Sequence, residues 1–246
     1  MEVVSAIKPQ PADLELSWPL PPLQVELAVD EVHVWCAWLG RAQADYAAGL
    51  GTLCEEERAQ AAKFHFESDR KNFVARRSLL RAILGHYLKV EPAQVTLAYE
   101  EWGKPRLAGP EGRATLHFNF SHSRNLALCA VGRIAPLGVD VEKLRPMPEM
   151  AEIGAAFCSV RENAQINTAP PEKKLEVFFS IWTRKEAYLK ATGEGLASSL
   201  SQLDCSEAPP GWSFHALSPA PGFAGALACA VGAARTLCWQ WGAKQA

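Results

Sequence analysis

Seven cysteines are scattered through the 246 residues without one C-x-x-C pair, and their number is odd. That spacing offers neither paired zinc ligands nor an even disulfide framework, and it points to free thiols in a reducing compartment, the cytoplasm. No apolar run reaches the roughly 18 residues that a spanning helix needs. The opening MEVVSAIKPQPADLEL lacks a basic head followed by an apolar stretch, so neither a secretory signal nor a membrane is expected. Positive charge is not in excess: 25 Lys and Arg face 27 Asp and Glu, a formal net charge of −2 that argues against nucleic acid as a partner. The G-x-S-x-G elbow of serine hydrolases is missing. What remains is 48% hydrophobic and 21% charged, enough for one large domain or two halves with a sizeable core.

Residues 1–31 are rich in proline and polar groups and suit an extended lead-in. VHVWCAWL, ending just before Gly40, has the composition of a strand, and residues 55–66 suit a short charged helix. The spacing predicts a long helix over 68–89, capped by Ser68, with Phe73, Leu80, Leu84 and Tyr87 on one apolar arc. Arg70, Arg77 and Arg81 border that arc. Arg76 falls inside it, and so is either paired in the core or aimed into a site. Between Arg58 and Lys89 eight basic residues stand against two acidic ones. Such a segment suits an anionic ligand or partner, or simply a solvated helix face.

VTLAYEEWGKPRL predicts a strand, a turn at Trp102-Gly103-Lys104-Pro105 and a short continuation. LHFNFSHSRNLALCAVG gives two strands joined at Ser121–Asn125, and LGVDVEKL (137–144) another. A polar, irregular stretch runs to about 175. A second strong helix spans 175–192, stopped by Thr192-Gly193-Glu194-Gly195. WSFHAL, GALACAVG and TLCWQW form a β-rich tail. LALCAVG at 126–132 is echoed by ALACAVG at 226–232, 100 positions on. The echo is either a chance likeness of two short apolar runs or the mark of two similar α+β halves, residues 1–136 and 137–246, with an interface between them that suits a ligand.

Four short pieces carry chemistry. In Gly138-Val139-Asp140-Val141-Glu142, strand alternation sends Leu137, Val139 and Val141 to the core, and Asp140 and Glu142 together to the other face. Neighbouring carboxylates repel unless a cation lies between them, and Mg²⁺ with substrate phosphates is a common answer. An exposed strand edge accounts for the pentapeptide alone. In FSIWTRKEAYLK, Trp182, Glu186 and Lys190 share one helix face. Glu186 and Lys190 suit either an ordinary i,i+4 ion pair or a general base beside a cation for phosphate charge. Asn119-Phe120-Ser121-His122-Ser123 offers hydroxyl and imidazole donors for phosphate oxygens, or a plain polar turn. In Gly103-Lys104-Pro105, proline fixes the turn and lysine can reach a phosphate, though a surface turn explains the tripeptide equally.

The ordered set decides what no single piece does. WGKP, then FNFSHS, then GVDVE, then WTRKEAYLK, with 46 positions from Asp140 to Glu186, resembles the surfactin-type 4′-phosphopantetheinyl transferases over roughly residues 55–200. The resemblance implies an α+β pseudodimer of two similar halves, with coenzyme A bound in the cleft between them. It implies Mg²⁺ on Asp140, Glu142 and Glu186, with Glu186 the candidate base for the serine of an acyl or peptidyl carrier protein, directly or through a water. Lys190 would neutralise phosphate charge as 3′,5′-ADP departs. Lys185, Lys104 on its Pro105 turn, and His122 would contact the ligand's phosphates, with Ser121 assisting and Asp140 close to the ligand. Arg58, Lys63, Arg70 and Arg77 are the candidates for the 3′-phosphate or for docking an acidic carrier. A monomer is expected. A metal-dependent phosphohydrolase and a non-catalytic carrier-binding relative are the alternatives.

Overall fold

The computed structural model describes residues 17–99, 104–108, 116–134, 136–193, 200–230 and 235–242. β1 (Glu31–Trp38) is followed by four helices: α1 (Leu39–Ala44), α2 (Tyr46–Thr52), α3 (Glu55–Ala62) and α4 (Glu67–Leu88). α4 begins one residue before Ser68, after Phe66, with no side-chain cap, and ends at Lys89 in the left-handed region (φ 58°). β2 (Leu97–Tyr99) and β3 (Pro105–Leu107) form an antiparallel ribbon. Trp102 and Gly103 of the expected turn lie outside the described residues, as do Glu194 and Gly195. β4 (His117–Ser123) and β5 (Leu126–Gly132) form a hairpin, and β6 (Leu137–Lys143) follows.

The stretch expected to be irregular instead holds α5 (Met150–Phe157) and α6 (Val160–Thr168). Ser159 and Glu162 close a reciprocal capping box at the start of α6. α7 (Lys174–Thr192) ends at Gly193, φ 78°, where glycine bears the left-handed turn without penalty. β7 (Trp212–Leu217), β8 (Phe223–Ala230) and β9 (Arg235–Gln240) complete the chain's described elements.

Two sheets organise the molecule. The first runs β4-β5-β1-β9, antiparallel except that β9 lies parallel to β1; the second runs β6-β8-β7, all antiparallel. The echoed segments occupy interior strands, β5 in one sheet and β8 in the other, although Val231 and Gly232 lie outside the described residues. The α+β class and its paired halves are thus present. The chain does not part cleanly at residue 136, because β9 returns from the far end to pair with β1.

Burial follows from the layering. On one face of the first sheet Trp35, Ala127, Cys129 and Val131 pack on Leu80, Ile83 and Leu84 of α4. On its other face Val34, Cys36, Leu126, Leu128 and Ala130 meet Leu137, Val139, Val141, Leu227 and Cys229 of the second sheet. The second sheet's far face takes α7, with Ala187 against Ala226 and Ala228. The layers therefore run helix, sheet, sheet, helix, and β5 is buried on both faces, as a sandwiched strand must be. A Cβ on Gly138 would stand 2.1 Å from the carbonyl oxygen of Ala187, so glycine is what lets α7 lie this close to β6.

The basic stripe of α4 is corrected. Arg81 is 1% exposed, and its Nε donates to Glu57 Oε2 at 2.7 Å, with further bonds to the carbonyls of Pro92 and Val95. It staples α3 and the segment before β2 to α4, because a buried guanidinium must have its donors satisfied. The apolar arc is centred on Val74, Ala75, Leu79, Leu80, Ile83 and Leu84, with Phe73 and Tyr87 at its margins.

Candidate active site

Strand alternation on β4 points Asn119, Ser121 and Ser123 the same way, toward β6 of the other sheet. Asn119 Oδ1 accepts from the Val139 amide at 2.9 Å. Ser121 Oγ donates to Asp140 Oδ1 at 2.8 Å. Ser123 Oγ donates to Glu142 Oε2 at 2.7 Å and accepts from the Lys143 amide at 3.1 Å. Three polar residues at every second position thus stitch the two sheets together where the acidic residues stand.

α7 completes the cluster. Lys190 Nζ donates to Asp140 Oδ1 at 2.6 Å and to Ser121 Oγ at 3.0 Å. Asp140 is 4% exposed, and its Oδ2 is buried without a hydrogen-bond partner among the described residues. Glu142 also has Arg145 at 3.8 Å, whose guanidinium lies over Phe179.

All three carboxyls are pushed above the usual range. Burial is the main cause for Asp140, opposed by the Lys190 ammonium and the Ser121 hydroxyl. Glu142 rises through burial and the Asp140 charge, against the pull of Ser123, Arg145 and Lys190. Glu186 rises through burial and the Asp140 and Glu142 charges, with Lys190 opposing. Glu142 thus senses Asp140, and Glu186 senses both, with the Lys190 ammonium opposing the rise in all three.

That donor set fits a hard divalent cation in two respects: it is all oxygen, and one buried oxygen is orphaned. Among the described residues no three His, Cys, Asp or Glu side chains are gathered into a metal-holding group, and the Lys190 ammonium lies on Asp140. The expected Glu186–Lys190 pairing gives way to Lys190–Asp140 because the deeply buried carboxylate is the costlier one to leave uncompensated.

The other expected residues divide. His122 stands beside the cluster; its Nε2 meets the Arg76 guanidinium, and partial burial, Arg76 and Lys190 push its pKa down to about 4. Lys104 Nζ donates to the backbone oxygen of Lys190 at 2.5 Å, which ties the start of β3 at Pro105 to the last turn of α7. Lys185 is a correction. It is 3% exposed, pairs with Glu162 at 2.8 Å and donates to the carbonyls of Leu200 and Leu203. One residue from Glu186 on a helix is a 100° turn, so Lys185 faces inward where Glu186 faces the joint.

Arg58 donates to the Leu53 carbonyl and Arg70 to that of Phe64, and Arg77 lies over the rings of Phe73 and Tyr99. Lys63 is exposed beyond the end of α3. None of the four contacts the acidic cluster. In the sequence Asn119 and Ser123 stood out only as members of their segment, without roles of their own, and Arg145 did not stand out at all. The alternation of polar residues in Asn119-Phe120-Ser121-His122-Ser123 was the available signal for the first two.

A buried acid, lysine and hydroxyl cluster thus stands at the joint between the two α+β halves. Two family descriptions match the chain, "4′-phosphopantetheinyl transferase, N-terminal" over residues 37–133 and "4′-phosphopantetheinyl transferase superfamily" over 136–220. It is 39% identical over 226 residues to the 4′-phosphopantetheinyl transferase HetI of Nostoc sp. (strain PCC 7120), covering 88% of this chain and 95% of that one. The 4′-phosphopantetheinyl transferase AcpT of Escherichia coli (strain K12) is 37% identical over 124 residues, 50% of this chain and 60% of its own. The 4′-phosphopantetheinyl transferase Sfp of Bacillus subtilis (strain 168) is 27% identical over 155 residues, 63% and 66% of the two chains. The chain belongs to the 4′-phosphopantetheinyl transferase superfamily and is accordingly a transferase.

Proposed function

We propose that the chain moves the 4′-phosphopantetheine arm of coenzyme A onto a serine of an acyl or peptidyl carrier protein, with Mg²⁺, and releases 3′,5′-ADP. The observation that carries this reading is the Lys190–Asp140–Ser121 cluster with its orphaned carboxylate oxygen. The surfactin-type subgroup is the finer assignment. The paired halves and the match to Sfp support it. A monomer fits the two-half pattern, and action in the cytoplasm fits the seven free cysteines; among the described residues no helix is long and apolar enough to cross a membrane. The halves divide near residue 136, apart from β9.

The serine oxygen attacks the β-phosphorus of the pyrophosphate. The bond from that phosphorus to the bridging oxygen breaks, and 3′,5′-ADP leaves with the electron pair. Glu186 takes the serine proton directly or through a water, although Mg²⁺ on the same carboxylate would lower its basicity. Lys190 meets the charge that grows on the pyrophosphate oxygens, and Ser121 and His122 donate to the same group. Mg²⁺ held by Asp140, Glu142 and Glu186 would supply Lewis-acid neutralisation of the pyrophosphate. Lys104 would reach the ligand's phosphates from its place against the last turn of α7, whereas Lys185, buried against Glu162, acts on the geometry of that helix.

Incubation with coenzyme A and Mg²⁺, with and without apo carrier proteins, tests the reading by mass spectrometry. Gain of the arm by a carrier, with 3′,5′-ADP released only when carrier is present, supports it. Release without carrier would make the chain a phosphohydrolase instead.

A further inference from the structure

Ser123 is a hydroxyl at the joint that the chemistry above leaves without a task. Along β4 and β6 the two polar rows advance in the same sense, Ser121 meeting Asp140 and Ser123 meeting Glu142. Side chains two residues apart on a strand stand about 6.6 Å apart, so the rows keep step and each acid receives one serine. Both acids are held on one plan. Asp140 Oδ1 takes Ser121 at 2.8 Å and Lys190 at 2.6 Å, and its Oδ2 has no hydrogen bond among the described residues. Glu142 Oε2 takes Ser123 at 2.7 Å and has the Arg145 guanidinium at 3.8 Å, while its Oε1 has no hydrogen bond among the described residues. Burial alone fixes Asp140, whose side chain is 5% exposed. The longer Glu142 side chain is 26% exposed and needs a tether. Ser123 is built to be one. Its oxygen accepts from the Lys143 amide at 3.1 Å, which occupies a lone pair and leaves the O–H for Glu142.

We propose that Ser123 is a positioning residue for the Glu142 carboxylate: it holds Oε2 and so leaves Oε1 for a hard divalent cation. This rests on the transferase reading above and on its Mg²⁺. Groups that orient a ligating carboxylate from behind change metal affinity by about 10–100-fold when they are removed, without touching the ion themselves. The same strand supplies a control. Asn119, two steps back on the same row as Ser121 and Ser123, bonds the Val139 amide and no carboxylate, so it clips the sheets together without orienting an acid.

S123T and S123V carry the test, because their side chains share a shape and differ in the hydroxyl. In the transfer assay S123V raises the Mg²⁺ concentration for half-maximal rate by about tenfold or more, while kcat at saturating Mg²⁺ falls less than about threefold. S123A behaves like S123V, and S123T stays within about threefold of the parent. Without any carrier, Mn²⁺ titration in the presence of coenzyme A, followed by electron paramagnetic resonance, gives the same order. Mn²⁺ binds about tenfold or more weakly to S123V and S123A, and nearly as in the parent to S123T. N119A lowers the melting temperature yet keeps the Mn²⁺ constant within about threefold. The assignment is overturned if S123V and S123A bind Mn²⁺ like the parent, if S123T is no better than S123V, if N119A weakens Mn²⁺ as much as they do, or if the parent binds no Mn²⁺. Absence of transfer to any carrier overturns the transferase reading instead; the Mn²⁺ titration still reports on Ser123.

Discussion

Lys190, one turn beyond Glu186 on α7, gives its ammonium to Asp140 of β6, Nζ to Oδ1 2.6 Å, and so joins the helix to the strand through the same oxygen that accepts from Ser121. The lysine is thereby held in place before any ligand arrives. Preorganised charge of this kind is what phosphoryl transfer demands of a protein.

Removing either end of that pair should strike the rate. D140N and K190M are each expected to lower the rate of carrier modification by about 10²–10³ or more, with folding retained by circular dichroism. Activity within about threefold of the parent in both variants would contradict the assigned roles.

The raised carboxyls predict a conflict between stability and activity. A buried acid with a raised pKa binds its proton more tightly folded than unfolded. Its cost is absent well below the ordinary value of 4.5 and grows as pH rises through the folded pKa. At pH 7 metal-free E186Q should therefore melt higher than the parent while losing transfer activity. Added Mg²⁺ should raise the parent's melting temperature more than the variant's.

His122 has the opposite sign. Its folded pKa lies below the ordinary 6.5, so the unfolded chain takes up the proton first, and stability contributed by the neutral ring is lost as pH falls from 6.5 toward about 4. By NMR the His122 ring should titrate well below 6.5, and R76M should move that titration upward, since one of the cations depressing it is gone.

Gly138→Ala tests the packing of α7. A methyl group 2.1 Å from a backbone oxygen forces the helix off β6, at a cost of about 1–3 kcal/mol or more in urea unfolding. A cost below about 0.5 kcal/mol would mean that the helix and strand can separate without loss.

Lys185 and Glu162 should behave as a buried couple. Glu162 is fully buried, accepts from the amides of Ser159 and Cys205, and holds Lys185 at 2.8 Å. K185M strands the carboxylate and should cost about 3–5 kcal/mol, whereas K185M with E162Q should recover part of that. If K185M instead folds normally and only raises KM for coenzyme A, the lysine faces the ligand after all.

Much of the site was legible because its elements obey short periods. The alternation in FNFSHS and GVDVE places Ser121, Ser123, Asp140 and Glu142 on facing sides, and the spacing of Glu186 and Lys190 places both on one helix face. The failures share a cause, which is that a side chain's partner lay far off in sequence. Nothing near Arg81 announces Glu57, 24 residues earlier, and nothing in Lys185-Glu186 says which of the two turns inward. α5 and α6 escaped notice because each is only about two turns long, and α6 hides a glutamate inside its capping box. The arginine stripe failed for a related reason: helical spacing tells which residues share a face, not whether that face meets water.

The return of β9 to the edge of β1 carries a consequence for how the molecule is made. Until β9 has left the ribosome, β1 presents an unpaired edge, ready to accept any passing strand. The first half of the chain therefore matures last along that side. A fragment cut at residue 136 would keep α4, β1 and the β4–β5 hairpin yet lack the strand that seals them, and self-association, not a tidy half-protein, is what such a fragment invites.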